Sequence, residues 1–483
     1  MTDKTSSTAS GVPGTDRGPG RLTFVAGLLV FLAALGVYLR TLVPTAPFWD
    51  SGEFITVAKI LGIPHPPGTP FYVLLGRVAT LVPIGNIAQR VNGLSALSSA
   101  LAVLLTYLTT LRLIRIAQRR GVVAPAAPAS VAVPDPLAKP PGLMATLGAE
   151  WLVQLGAITA AFMLAFSSNF WDNATGAETY SEMAMAQVLI LWLALRWWEA
   201  HEQRPTVGPL LVAVYVMWLS VGLMLGVGMM GLPLLVLLLL VDRKVFVLFA
   251  LPMASVLGVT FGLEKMAGII LMISILVFWY YVVQRKLEAW LALAATGGAL
   301  FGAYYAFGSA VFTPQAALVS VAAVVVPVVA LALKHREGRI LALALFLMMA
   351  GYSTHLYLPI RAAQHPAINM GTPSDWPALK RLLEREQYGH TKMTERRCLE
   401  QPDPLLGRNR TVSELRGEDL ARIWQYQLDK EFWRYWKRQW PLASTLKVEG
   451  GIPIQGEPRL WHVLLPLLLG GFGGFWQARR ERA

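Results

Sequence analysis

Long apolar runs separated by short polar breaks recur from residue 22 to residue 476. Runs of this length read as membrane-crossing helices, since about 20 apolar residues span a bilayer core. The pattern predicts 12 spans, near 22–40, 91–111, 149–167, 181–199, 208–223, 226–241, 245–262, 266–283, 289–307, 313–333, 340–359 and 459–476. The pair across 208–241 is parted only by Gly222, Gly226, Gly228 and Gly231, with no polar turn. The stretch 71–83 is too short to cross and predicts a buried or interfacial helix. Residues 51–61 predict a short amphipathic helix in the membrane interface. Nowhere does the chain show the apolar/polar alternation of a transmembrane barrel. The expected fold is therefore an all-α polytopic membrane protein of about 12 transmembrane helices.

Composition agrees. Hydrophobic residues make up 55% of the 483 and charged residues 15%, against roughly 25% charged in soluble domains. The single cysteine, Cys398, forms neither an intramolecular disulfide nor a zinc cluster. A net charge of +13 would suggest nucleic acid in a soluble chain. Here it has a plainer source, because basic residues gather at the cytoplasmic ends of spans. With the N-terminus inside, 19 Lys and Arg fall in inside segments and five in the short outside loops. That bias predicts a cytoplasmic N-terminus, and the expected location is a bacterial inner or plasma membrane. Residues 1–21 then form a polar cytoplasmic tail and 22–360 the membrane domain, with a long outside loop at 41–90. Residues 361–458 form an extracytoplasmic, α-rich subdomain, and 459–483 the last span with a basic tail. The inside linker 121–142 is rich in Ala, Pro and Val.

Polar chemistry is sparse and concentrated in the first outside loop. Phe48-Trp49-Asp50-Ser51-Gly52-Glu53-Phe54 leads into the interfacial helix, and Gly62-Ile63-Pro64-His65-Pro66-Pro67-Gly68 follows it. Two readings of the acids stay open on local pattern. Asp50-x-x-Glu53 resembles a capping box, with His65 a loop hydrogen-bonder. Alternatively, Asp50 is a carboxylate held at the bilayer rim to take a proton from a hydroxyl. Trp49 would anchor the helix start at headgroup level. Arg77 and Arg90 suit a phosphate through the guanidinium fork or, equally, snorkel to the interface; Arg361 suits the phosphate better, since Pro359 stiffens its approach and it opens the outside subdomain. Asp172 and Glu178 either line the same cleft or serve the start of the following helix.

The first-loop motif resembles the family of a eukaryotic transmembrane protein O-mannosyltransferase and its bacterial homologues, within the GT-C superfamily of glycosyltransferases. The similarity continues through Leu75-Gly76-Arg77, Arg90-Val91-Asn92, Leu94-Ser95-Ala96, Phe166-Ser167-Ser168-Asn169-Phe170-Trp171, Ala177-Glu178-Thr179-Tyr180-Ser181 and Tyr357-Leu358-Pro359-Ile360-Arg361, and fades by Gly389. The resemblance implies a GT-C-like fold and an inverting glycosyltransferase that draws sugar, such as mannose, from a polyprenyl-phosphate donor. It implies a hydroxyl acceptor on a protein or glycan, Ser/Thr of exported proteins among them, on the extracytoplasmic face. Asp50 becomes the catalytic base with Glu53 beside it, and Trp49, His65, Arg77, Asp172, Glu178, Tyr180 and Arg361 become substrate or donor contacts. No cofactor is required. Asp50 with Glu53 admits a weak divalent site, and no nucleic-acid partner is expected.

Two rival functions predict different residues. A transporter or flippase would need ionisable groups near the middle of spans, and the acids here sit at span edges. A non-catalytic assembly protein would use 361–458 as its binding module. Its aromatic, basic run Trp433-Arg434-Tyr435-Trp436-Lys437-Arg438-Gln439-Trp440 suits an interface.

Overall fold

The structure is a computed structural model that describes residues 20–47, 49–120, 143–261 and 335–389, with shorter stretches between 407 and 454. The expected spans at 266–283, 289–307, 313–333 and 459–476, most of the N-terminal tail and the linker 121–142 lie outside the described residues.

The described chain is helical. Apolar residues fill α1 (Arg21–Arg40), which ends at Thr41 just before the polar loop. Two short helices follow, α2 (Ser51–Ile60) and α3 (Pro70–Thr80), where the sequence predicts non-spanning elements. Asn86 opens α4 (Ile87–Arg119) with a full capping box, its side chain accepting from the Gln89 amide. Its 33 residues make a rod of about 50 Å. Next come α5 (Leu143–Ala165) and α6 (Ser168–Thr175), bent by 65° at the break between them. They are followed by α7 (Tyr180–Gln203) and α8 (Gly208–Ser220). A 3-10 turn at Leu225–Met230 leads into α9 (Gly231–Val241), and α10 (Arg243–Phe261) follows. After residue 334 the chain resumes in α11 (Arg336–Tyr352), α12 (Tyr357–Ala362) and α13 (Trp376–Leu383). The segment after residue 407 holds α14 (Glu418–Gln425), a π turn at Tyr426–Phe432 and α15 (Trp433–Gln439). A two-stranded antiparallel ladder, β1 (Lys447–Glu449) with β2 (Ile452–Ile454), completes it, so that segment is not purely helical.

Among the described residues three helices are long and apolar enough to cross a membrane: Arg21–Arg40, Ile87–Arg119 and Arg336–Ala362. The count becomes four if the bent pair α5–α6 is one span. Over 208–241, where the sequence predicts two crossings, the chain forms two short apolar helices around an irregular turn. Glycines put no side chain between neighbours there, so the break needs no polar loop.

Burial falls into two main apolar bodies. One joins α1, α4, α5 and α6 through residues such as Val30, Tyr38, Val103 and Ala161. The other joins α2, α3, α7, α8, α9, α10 and α11 through Val57, Tyr72, Trp197, Met217 and Phe249. A small third cluster, Ile63, Leu358, Ala362 and Leu382, ties the loop after α2 to α12 and α13. The polar residues described next lie along the α4–α7 seam and the loop beside α2.

Candidate functional site

Asp50 is the residue before α2, and its carbonyl accepts from the Phe54 amide at 2.9 Å. Its carboxylate makes no capping bond to the helix, so the capping-box reading does not hold for either acid. The Asp50 side chain is instead 57% exposed, with Oδ2 lying 3.9 Å from His65 Nε2. Glu53 turns away from the helix start and grips His65 twice. Its Oε1 accepts from the His65 amide at 2.7 Å, and its Oε2 meets Nδ1 at 2.8 Å. That bond fixes the ring and leaves Nε2 facing Asp50. Phe54 packs against the ring with centroids 5.6 Å apart.

The loop that carries His65 is itself held. Gly68 adopts φ +87°, and a Cβ there would stand 2.8 Å from Leu358, so only glycine fits without strain. Ile63 bridges to Asn369, its amide donating to the Ile368 carbonyl at 2.8 Å. The Tyr357 hydroxyl donates to Gly62 O at 2.8 Å. Arg361 spans the end of α2, with Nε donating to Leu61 O at 2.6 Å and a terminal nitrogen to Ile60 O at 3.1 Å.

This changes the expected roles of the arginines. Arg361 and Arg77, which donates to Lys59 O at 2.8 Å, sit at the far end of α2 from Asp50. Arg90 binds the carbonyls of Thr80, Ile84 and Gly85. All three satisfy loop carbonyls that would otherwise lack donors. Arg361→Ala should therefore cost about 2 kcal/mol of stability, read as a lowered thermal midpoint of the purified protein.

Glu178, just before α7, joins the cluster from the other side. The buried Ser51 hydroxyl donates to its Oε1 at 3.2 Å, and Ser95 donates to its carbonyl at 3.3 Å. Burial first, and then the charge of Asp50, push the Glu178 carboxyl up to about 7, against the Ser51 bond and His65. Asp172 and Tyr180 are exposed on α6 and at the start of α7, and no ion pair among the described residues links Asp172 to the cluster. Trp49 is 94% exposed at φ +68°. A bulky side chain in that left-handed region costs roughly 1–2 kcal/mol, and the indole projects outward as a headgroup anchor would. Sequence reasoning missed Arg385, whose charge is felt at His65, and Ser51. Nothing in the local pattern flags Arg385, because its proximity depends on α13 folding back over the loop. A cleft of about 310 Å³ beside it is lined by Pro66, Gly371, Arg381, Leu382 and Glu386.

Electrostatics bind His65 and Glu53 together. The Glu53 bond raises His65, with burial opposing and the charges of Glu53 and Asp50 adding. For Glu53, burial pushes upward, but the paired His65 bonds and charge outweigh it and hold the carboxyl below its usual 4.5. The contribution of Glu53 is present above its unfolded value and lost as pH falls through the lowered one. That of His65 is complete below about 6.5 and lost as pH rises through its raised value. Thermal stability should therefore plateau between the two ordinary values and decline on the alkaline side. His65→Gln should flatten that alkaline decline, measured by unfolding midpoints across pH 4 to 9.

Asp50, Glu53 and His65 also bring three ligand atoms within 4.8 Å of one another. Two carboxylates and an imidazole suit a divalent ion. Since Glu53 occupies Nδ1, Asp50 and Nε2 would be the primary ligands and Glu53 the group orienting the ring.

Residues 50–248, starting on Asp50 itself, match the family described as the protein O-mannosyl-transferase TMEM260 N-terminal domain. This stretch is similar to that domain family. The protein O-mannosyl-transferase TMEM260 of Mus musculus is 42% identical over 105 residues, covering 21% of this chain and 15% of the mouse protein. The Dictyostelium discoideum protein O-mannosyl-transferase tmem260 is 30% identical over 90 residues, 18% of this chain and 11% of its own length. The chain thus aligns with a small part of each relative's length. No solved structure matches. The matched stretch contains Asp50, Glu53, His65 and Glu178.

Proposed function

We propose that the protein is a membrane glycosyltransferase that moves a sugar from a polyprenyl-phosphate donor to a hydroxyl acceptor on the extracytoplasmic face. Mannose as the sugar, and Ser or Thr of exported proteins as acceptor, follow the names of the relatives. The observation that carries this reading is Asp50, a carboxylate without a capping bond at the rim of the first span. It is backed by a histidine that Glu53 locks in place.

Asp50 takes the proton of the acceptor hydroxyl, and the oxygen attacks the anomeric carbon. The lipid phosphate leaves, and a single displacement inverts the anomer. Charge on the departing phosphate is met by protonated His65 and by Arg385, the described cation whose charge reaches the cluster. Arg361 and Arg77 brace the helix that presents Asp50, and Trp49 seats the loop in the headgroup layer. A divalent ion on Asp50 and His65 would take the place of protonated His65 as the charge facing the phosphate, and no step above depends on it.

The test is transfer by purified protein in lipid vesicles, from polyprenyl-phosphate mannose to a Ser/Thr peptide, with and without chelator. One added hexose with inverted anomeric configuration is the expected product. Absence of both transfer and sugar release refutes the reading. Mass spectrometry of surface glycoproteins from cells with and without the gene then identifies the natural acceptor.

A further inference from the structure

The segment after residue 407 carries a run of exposed apolar side chains. Along α14, the π turn and the start of α15, Trp424 is 63% exposed, Leu428 43%, Phe432 48% and Trp433 41%. An α-helix turns through about 100° per residue, so positions four apart drift steadily around its surface. The turn at Tyr426–Phe432 closes i→i+5 bonds and winds more slowly. It holds Leu428, Phe432 and Trp433 on the side of Trp424. The stripe therefore stays continuous from α14 into α15. The exposed Gln425 and Gln427 flank it, while Ile423 and Tyr426, around the other side of the helix, are half-buried. Asp419 is ion-paired with Arg410 at 2.6 Å.

The height of this stripe along the bundle follows from its contacts with α6. The Tyr435 hydroxyl accepts from Asn169 Nδ2 at 3.2 Å, and Gln439 Oε1 accepts from the Asn169 amide at 3.4 Å. Asn169 lies in the first turn of α6, the short arm of the bent pair α5–α6. On the same helix, Trp171 donates to the hydroxyl of Thr41, the residue that closes α1, at 2.9 Å. So α15 is fastened at the level where the first span ends, and the loop that begins at Thr41 carries Asp50. Tryptophan is enriched at that level of a membrane protein, because its ring suits the acyl boundary and its N–H the headgroups. Between Trp433 and Trp440 the sequence holds Arg434, Lys437 and Arg438 and no acid, a balance that suits phosphate headgroups.

We propose that the segment 418–439 lies flat on the bilayer as an interfacial helix, with Trp424, Leu428, Phe432 and Trp433 seated between headgroups and upper acyl chains. Its partner is the phospholipid surface of the membrane that the protein itself spans, on the side that carries Asp50. The π turn is what makes one flat apolar face out of two short helices. The bonds from α6 fix that face at the right height, so lipid covers the stripe without any second protein. This seating holds whether or not the protein transfers sugar.

Cys398 is the single cysteine, so a Cys398→Ser background accepts one label at a time. Trp424→Cys, Leu428→Cys, Phe432→Cys and, for contrast, Gln427→Cys are made separately in the full chain. Each is spin-labelled in vesicles of phosphatidylcholine and phosphatidylglycerol. Power-saturation EPR then compares collisions with oxygen, which concentrates in lipid, and with a water-soluble nickel chelate. Each variant keeps at least three of the four anchors. The oxygen-to-nickel ratio at 424, 428 and 432 should exceed that at 427 severalfold. A ratio at the three stripe positions no higher than at 427 puts the stripe in water and overturns the proposal. Low collision rates with both reagents mean that a second copy or another part of this chain covers the stripe, which overturns it equally. As a second measurement, bimane on Leu428→Cys should be quenched by lipid brominated high on its acyl chain, and fluorescence unchanged by brominated lipid counts against the lipid contact.

Discussion

Asp50→Asn should reduce sugar transfer by roughly 10²- to 10⁴-fold, the usual contribution of a general base. The size of the effect follows from what the substitution keeps. The carboxylate makes no bond to α2 and is mostly solvent-facing, so folding loses little when it becomes an amide. The backbone carbonyl that starts the helix is untouched. Asn has similar volume and the same turn preferences. Circular dichroism and the thermal midpoint should therefore match wild type while product formation falls near background. A variant that folds normally and transfers at the wild-type rate would remove the base from the mechanism. Glu53→Gln is the informative companion. It keeps the shape of the clamp but loses the charge that favours protonated His65, and should move the alkaline limb of the rate profile to lower pH.

The second large effect is structural. Gly351→Val should abolish the folded state, or lower the yield of monodisperse protein severalfold. A Cβ at 351 would stand 2.7 Å from Leu219 N and 2.9 Å from Tyr215 O. Both are backbone atoms of α8 and cannot rotate away. Even one added methyl group forces α11 and α8 apart, and overpacking of this kind costs about 1–3 kcal/mol for flexible neighbours. The strain reaches the site by a short route. Gly222, just past α8, accepts from the amides of Phe71 and Tyr72 at 2.9 and 3.3 Å, so displacing α8 disturbs the start of α3 beside the His65 loop. Size-exclusion profiles and thermal midpoints of Gly351→Ala and Gly351→Val, taken together, measure the gradient. Two well-behaved variants would show that the helices can separate freely.

The sequence made some features legible and hid others for identifiable reasons. The short helices at 51–60 and 70–80 were readable because each is too brief to span and is bounded by Gly or Pro. Helices α1 and α4 were readable from uninterrupted apolar length. The break inside 208–241 was hard to read, since glycines end helices there without any polar residue. Asp50, Glu53 and His65 stand close in sequence, and local spacing brings them together. Glu178 arrives through α4–α7 packing, and Arg385 through a turn more than 300 residues away, so neither contact has a local signature. The carbonyl partners of the arginines were not legible, because a guanidinium that suits phosphate suits peptide carbonyls equally well. Glu182 sits one helical turn from Glu178, and only burial distinguishes the two.

The brace on α2 also bears on how the molecule is made. Arg361 lies 300 residues beyond Leu61, whose carbonyl it binds. At a synthesis rate of about 5–20 residues per second, that partner follows on the order of 15–60 s later. During this interval the newly inserted loop has its acids in place, but of its two arginine braces only Arg77 secures the distal end of its helix. A released chain truncated before residue 357 should leave that loop open to protease, and one extended past residue 370 should protect it.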